Sequence, residues 1–421
     1  MSQHEPIRVL HFADVHIGME NYGKVESKTG ISSRVMDFLR QMSQVIEYAE
    51  EHDADLAVFA GDAFKNSSPN PTYQREFARR IRRLADQCPV VLVVGNHDIP
   101  AMVQKASTLD IFHTLAVNNV IVGRRDEVHW VETKRGPVQV ATVPFPVRQR
   151  LLARDDIRGM SLDEIDLNMR DVVNQVIRGL AEDIDPEVPA ILTGHFTVQG
   201  ATYGSERTVM LGRDTPVLKS ALTHNAWDYV ALGHIHAFQD LNPNEQPPVV
   251  YSGSLERIDF GEEHDPKGFC WAEVTRGHTD YEFVRINARP FVTIKADVRD
   301  EVDPTDAVLD EISNYDIRGA VVRVIVQATP ENEPLLRDAD IIGALGRAGY
   351  VAAIQRQVER PVRTRLGAEH VEGLTPLELL ERYLMSKDAD PDRIELLKDY
   401  AQALFEGETD NVTEIQQSLW D

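Results

Sequence analysis

The chain has 421 residues, 42% hydrophobic and 27% charged, a globular composition too long for one ordinary domain, so two or three are expected. Lys plus Arg number 44 against 68 Asp plus Glu, and 44 − 68 gives a formal charge of −24; such a chain repels free polyanions, so nucleic-acid contact needs a local basic patch, bound metal or a partner subunit. Cys88 and Cys270 lack CxxC spacing, and neither a leader-like segment nor a run of roughly 20 apolar residues stands out, so a cytoplasmic protein without disulfides or membrane spans is expected.

Short apolar runs, each four to eight residues, punctuate the first two thirds. "IRVLHFA" (7–13) leads into Asp14 and His16, and a helical pattern follows over 32–53. "DLAVFAG" (55–61) leads into Asp62, and then come Lys65 and a second helical pattern over 72–87. "VVLVVG" (90–95) leads into Asn96, His97 and Asp98. After a long helical pattern over 161–184, "VPAILTG" (188–194) leads into His195, "DYVALG" (228–233) into His234 and His236, and "PPVVYSG" (247–253) closes the set. Val- and Ile-rich runs bounded by Gly or Asp suit strands buried on both faces, and their alternation with helices predicts a layered α/β sandwich of mixed sheets covered by helices.

Near 290 the pattern restarts as strand, helix, strand, helix, strand, a small separate α/β unit over 289–358 after a main domain over 1–288. Residues 359–373 are polar and predict a linker, 374–408 a pair of amphipathic helices, and 409–421 a tail. Thr375 suits an N-cap, Pro376 the first helical position and Glu378 a capping box. The pair is either a hairpin folded on its own domain or a docking element for another protein.

Five strands thus end in oxygen or imidazole side chains, and ligands of open α/β sheets gather at the carboxyl ends of strands. In D-x-H and H-x-H, residues two apart in extended chain point the same way. A single G-H or G-D is commonly a turn; five in order are not. One Asp motif after another, several His, an Asn amide and no thiolate suit Mn²⁺, Fe²⁺ or Zn²⁺, and the ligands suffice for two ions if one carboxylate bridges. "GSL" (253–255) lacks the G-x-S-x-G of a serine nucleophile. Lys65 is either a solvated loop lysine or a point charge for substrate phosphate. Arg75, Arg79, Arg80, Arg82 and Arg83 form either a solvated helix face or a backbone contact for DNA.

The order D-x-H, G-D, G-N-H-D, G-H, G-H-x-H resembles the calcineurin-like metallophosphoesterase superfamily. Within it, "GDAF", the helical insert before His195 and "YSGSLERIDFGEE" (251–263) are similar to the SbcD branch of the meiotic-recombination-eleven repair nucleases. That resemblance implies Asp14, His16, Asp62 and His236 on one ion, and Asp62, Asn96, His195 and His234 on the other, with Mn²⁺ preferred and Fe²⁺, Mg²⁺ or Zn²⁺ as alternatives. It implies that His97 faces the scissile phosphate and that Asp98 orients His97 through its other ring nitrogen. It further implies exonuclease and hairpin endonuclease action in DNA repair, recombination and replication, at the nucleoid. The 289–358 unit would cap and bind DNA, and 374–408 would bind an SbcC-type ATPase. Helices near 72–87 and 104–116 would form a homodimer. Other readings are a phosphoprotein phosphatase, a small-molecule phosphodiesterase or a non-catalytic scaffold. Protein phosphatases of this superfamily usually carry G-N-H-E and an Arg soon after G-D, whereas Asp98 and "GDAFKN" stand here.

Overall fold

The computed structural model describes residues 5–100, 105–147, 162–204, 216–359, 375–387 and 389–406. Two sheets of six strands form the body. The first runs, in space, β12 (His278–Arg285), β11 (Gly268–Thr275), β1 (Ile7–Phe12), β2 (Leu56–Phe59), β3 (Val90–Val93), β4 (Val120–Gly123). The second runs β5 (Glu127–Thr133), β6 (Gly136–Val143), β7 (Ala190–His195), β8 (Tyr229–Gly233), β10 (Val249–Tyr251), β9 (Gln239–Asp240). Strands β1 to β4 are parallel, as are β6, β7, β8 and β10; antiparallel strands flank both groups.

The period of two in β1 explains the layering. Val9 faces an inner layer with Leu56, Val58, Val91, Val140, Ile191 and Val250, whereas Leu10 and Phe12 face the helices. His11 also points inward, its Nδ1 3.0 Å from the Tyr229 hydroxyl and its Nε2 3.1 Å from the Leu232 oxygen. Burial pulls its pKa to about 3, so a neutral imidazole bridges the two sheets.

Outside the first sheet lie α1 (Ser33–Glu51), α2 (Pro71–Ala85) and α3 (Asp110–Thr114), and α4 (Leu162–Glu182) with the short α5 (Lys219–Leu222) covers the second. Ser32 and Asn70 cap α1 and α2, accepting from the amides of Arg34 and Thr72. Phe77, Ile81 and Leu84 of α2 are buried against Phe59, Phe64 and Phe112. The apolar face of the predicted 72–87 helix is thus used within the sandwich, where burying each such side chain contributes about 1.5–3 kcal/mol. Among the described residues of the expected partner helix over 104–116, only Asp110–Thr114 is α-helical, with Ile111 and Leu115 exposed.

The chain divides into two compact units, Met1–Gln327 with Leu335–Gln357, and Ala328–Pro334 with Val358–Asp421. In the first, β13 (Phe291–Asp297), α6 (Pro304–Ser313), β14 (Val321–Ala328), α7 (Asp338–Ala344) and β15 (Tyr350–Val358) follow the predicted order as a three-stranded sheet. A buried charge cluster joins this segment to α1: Asp37 accepts from Arg34 at 3.1 Å and from Arg289 at 2.8 Å. The second unit holds α8 (Pro376–Met385) and α9 (Pro391–Glu406); Thr375 and Glu378 form the capping box, and Lys398 pairs with Glu381 at 2.6 Å. Of the predicted linker only Glu359 is described, and the tail over 409–421 lies outside the described residues. Among the described residues, no helix is long and apolar enough to cross a membrane.

Candidate metal centre

All seven candidate ligands lie within four residues of a strand's carboxyl end, three strands coming from the first sheet and two from the second. His16 Nε2 lies 3.1 Å from His236 Nε2, 3.9 Å from Asp14 Oδ1 and 3.7 Å from Asp62 Oδ2. His195 Nε2 lies 2.9 Å from Asn96 Oδ1, 3.3 Å from His234 Nδ1 and 3.3 Å from Asp62 Oδ2. His234 Nδ1 is 3.0 Å from the same Asn96 oxygen. Two clusters result, and Asp62 Oδ2 faces both. The other Asp62 oxygen accepts from the His97 amide at 2.8 Å, so the carboxylate is held with one oxygen turned to the centre.

Local backbone geometry brings this about. Asp14, His16, Asp62 and His234 have φ of 51°, 48°, 60° and 99°. The expected convergence of Asp14 with His16 through extended chain is therefore corrected: left-handed turns aim these side chains, each costing on the order of 1–3 kcal/mol that the surrounding packing must offset. Backbone contacts hold the turns, Asp14 and Val15 donating to the Gly61 and Asp62 oxygens, and the His234 amide donating to Asp14 Oδ2 at 2.9 Å. The motif glycines have a steric reason. A Cβ on Gly61, itself at φ +101°, would overlap His195 Nδ1, and one on Gly95 would overlap Asp62 Oδ1.

Hydrogen positions follow from the partners. His195 Nδ1 is 2.7 Å from the Ala60 oxygen, which only accepts, so Nδ1 carries the hydrogen. Its Nε2 lone pair then points at Asn96 Oδ1 and Asp62 Oδ2, both acceptors. For the polypeptide alone a proton must separate them: burial would lower the His195 pKa, but the Asp62 charge outweighs it and lifts it to about 9. Burial raises Asp14 to about 6 and keeps His16 far below the usual imidazole range, hence neutral. Converging lone pairs around a proton are what a cation would satisfy better. Carboxylate, amide and imidazole donors without thiolate fit a borderline-to-hard divalent ion. Sets of potential ligand atoms within 4.8 Å of one another include Asp14, His16 and His236, as well as Asp14, Asp62 and His195.

His97 stands at the rim, its side chain 38% exposed and its Nε2 4.0 Å from Asp62 Oδ2. Its Nδ1 is 2.7 Å from the Lys65 main-chain oxygen. The expected bond from Asp98 is therefore corrected. Asp98 is fully buried and turned the other way, accepting from the amides of Asp62 and Gly95 at 3.0 Å and Ala63 at 3.1 Å. It ties the G-D loop to the G-N-H-D loop; burial and the nearby Asp62 charge raise its pKa to about 7. Lys65 contributes its carbonyl, and its side chain is exposed. Arg75 and Arg79 both pair with Glu76, at 3.0 and 2.9 Å, on the solvent face of α2. Sequence reading assigned no role to Glu262, whose Oε1 lies 2.8 Å from His236 Nδ1, nor to Phe145, whose ring is 5.6 Å from that of His234. A metal-binding His commonly has a carboxylate behind it, but no spacing rule says where in the chain it lies.

The calcineurin-like phosphoesterase family profile matches residues 7–238, the span that carries all seven ligands. The D subunits of nuclease SbcCD from Escherichia coli K12 and from Escherichia coli O157:H7 are each 28% identical over 268 residues, 61% of this chain and 62% of theirs. The matched span is thus less than two thirds of those relatives' length. Among solved structures, TT1561 of Thermus thermophilus matches at 14% identity and TM-score 0.35, over 66% of this chain and 100% of that one. A dimetal phosphatase from Danio rerio matches at 11% identity and TM-score 0.36, over 66% and 98%.

Proposed function

Because the chain belongs to the calcineurin-like phosphoesterase family, we propose that it is a two-metal phosphodiesterase that cleaves DNA. In this reading it is the nuclease subunit of an assembly like that of its SbcCD relatives. The observation that carries this reading is the single Asp62 oxygen facing two ligand clusters, with His97 at the open rim.

Asp14, His16, Asp62 and His236 would hold one ion, and Asp62, Asn96, His195 and His234 the other; the donors suit Mn²⁺, Fe²⁺ or Zn²⁺, and the family resemblance favours manganese. Two ions bound there supply a water of lowered pKa and positive charge for phosphoryl oxygens. The chain's own residues do the rest. Asp62 is aligned by the His97 amide, and that amide lies in the loop that Asp98 fastens to the G-D turn. His97, with Nδ1–H fixed on the Lys65 carbonyl, presents Nε2 to substrate. Carrying a second proton, it donates to a phosphoryl oxygen or to the leaving oxygen.

The net charge of −24 disfavours a polyanion on the bare chain. A partner that supplies basic surface answers that difficulty, and α8 and α9 are suited to hold it. No residue of α8 is buried, and Tyr383, Met385 and Leu396 are 42%, 57% and 37% exposed. Such a helical pair fits docking to an SbcC-type ATPase. The segment over 289–358 would cap the DNA, and self-association would use Ile111 and Leu115 rather than the buried stripe of α2.

The test is Mn²⁺-dependent cleavage of linear duplex and hairpin DNA, with and without the ATPase, beside hydrolysis of phosphopeptides. DNA cleavage is expected; hydrolysis of phosphopeptides with both DNAs left intact overturns the proposal.

A further inference from the structure

A carboxylate outside the strand-end motifs reaches the ligand cluster. Asp259 Oδ1 accepts from the Gly261 amide at 2.7 Å and starts a single 3-10 turn, Phe260–Glu262, which delivers a fully buried Glu262. Its Oε1 lies 2.8 Å from His236 Nδ1. Its Oε2 accepts from Lys267 Nζ at 2.8 Å and from the Ile258 amide at 3.0 Å. Lys267 is buried as well, donating to Ser254 Oγ at 2.8 Å and to the His236 main-chain oxygen at 3.2 Å. The two Glu262 oxygens thus meet a buried ammonium and a backbone amide on one side and the imidazole on the other, the surroundings of an ionised carboxylate. An ionised carboxylate only accepts. The hydrogen on His236 is therefore on Nδ1, and the Nε2 lone pair faces His16 Nε2, 3.1 Å away.

We propose that Glu262 is a positioning residue of the metal centre. It fixes His236 in the Nδ1–H tautomer, with Nε2 turned to the ion shared with His16, and Lys267 keeps it in place. A metal-binding imidazole held this way is oriented before the ion arrives, and losing such a partner typically costs about 10–100-fold in affinity. The amide of a Gln cannot replace this carboxylate: one face would present N–H donors either to His236 Nδ1–H or to Lys267 and the Ile258 amide.

The inference rests on the two-metal reading, and Mn²⁺ titration of the metal-free full chain, with free ion counted by its EPR signal, separates the two. Two bound ions are expected for the parent. Glu262→Gln should lose about 10–100-fold in affinity for one ion and keep the other. Glu263→Gln serves as the control for the turn, since Glu263 accepts from the Thr293 amide at 2.8 Å, and should keep both ions. Unchanged binding by Glu262→Gln, or equal loss by Glu263→Gln, overturns the positioning role. Fewer than two ions on the parent overturns the two-metal reading and this inference with it. ¹⁵N-histidine NMR of the parent reads the tautomer whether or not the variants fold: Nδ1–H is expected for His236, and Nε2–H overturns the proposal.

Discussion

Nδ1 of His97 lies 2.7 Å from the main-chain oxygen of Lys65, so a backbone carbonyl, which any residue at position 65 would provide, orients this imidazole. Lys65→Ala should therefore leave kcat on duplex DNA near the parent value. His97→Ala should lower kcat by about 10²–10⁴-fold, the range for a lost general acid, with both ions still bound. Steady-state kinetics with Mn²⁺ counting checks this pair. Loss of an ion from His97→Ala would instead make His97 a ligand.

Gly95 presses directly on the centre, because an added Cβ would overlap Asp62 Oδ1 and come within 2.5 Å of the Asp62 amide nitrogen. Gly95→Ala should displace Asp62, lowering Mn²⁺ stoichiometry while far-UV circular dichroism stays that of a folded chain. Overpacking of this kind costs about 1–3 kcal/mol, which urea unfolding would register. Full metal binding by Gly95→Ala would contradict the shared role given to Asp62.

The ligands themselves were legible because short polar motifs at strand ends are unusual, and position along the chain suffices to find them. Side-chain direction was not legible. Asp98 follows His97 in sequence, yet the turn aims its carboxylate back at the amides of Asp62, Ala63 and Gly95. Glu262 is 26 residues from the imidazole it holds, and Arg34, Asp37, Glu256 and Lys267 are charged residues buried to 2% exposure or less. Composition favours the surface for all of them. The hairpins β5–β6 and β11–β12 also escaped notice, since "EVHWVET" and "HTDYEFVR" mix charges into half-exposed strands, and β11 pairs with β1 across most of the main domain.

The Asp37 cluster carries a pH dependence of stability. Burial would raise the Asp37 carboxyl, and Arg289 and Arg34 outweigh it, so its folded pKa is lowered. A lowered carboxyl pKa stabilises the fold above the unfolded value of about 3.9, and this contribution is lost as pH falls through the folded value. Asp37→Asn should thus be less stable than the parent by a constant margin near pH 6–7, a margin that shrinks below about pH 4. Urea unfolding across that range decides it; a margin that grows on acidification would refute the assignment.

Removing residues 374–408 takes away a helical pair in which, among the described side chains, Ile394 alone is buried. The truncated chain should unfold cooperatively at nearly the parent temperature and fail to co-purify with an SbcC-type ATPase. Undiminished co-purification would place the docking surface elsewhere.

The central claim is that Asp62 lies between two ions. Anomalous diffraction at the manganese edge from crystals grown with Mn²⁺ tests it directly. The account predicts two peaks about 4 Å apart, one beside Asp14, His16 and His236 and one beside Asn96, His195 and His234, with Asp62 touching both. A single peak, or two that do not share Asp62, would contradict it.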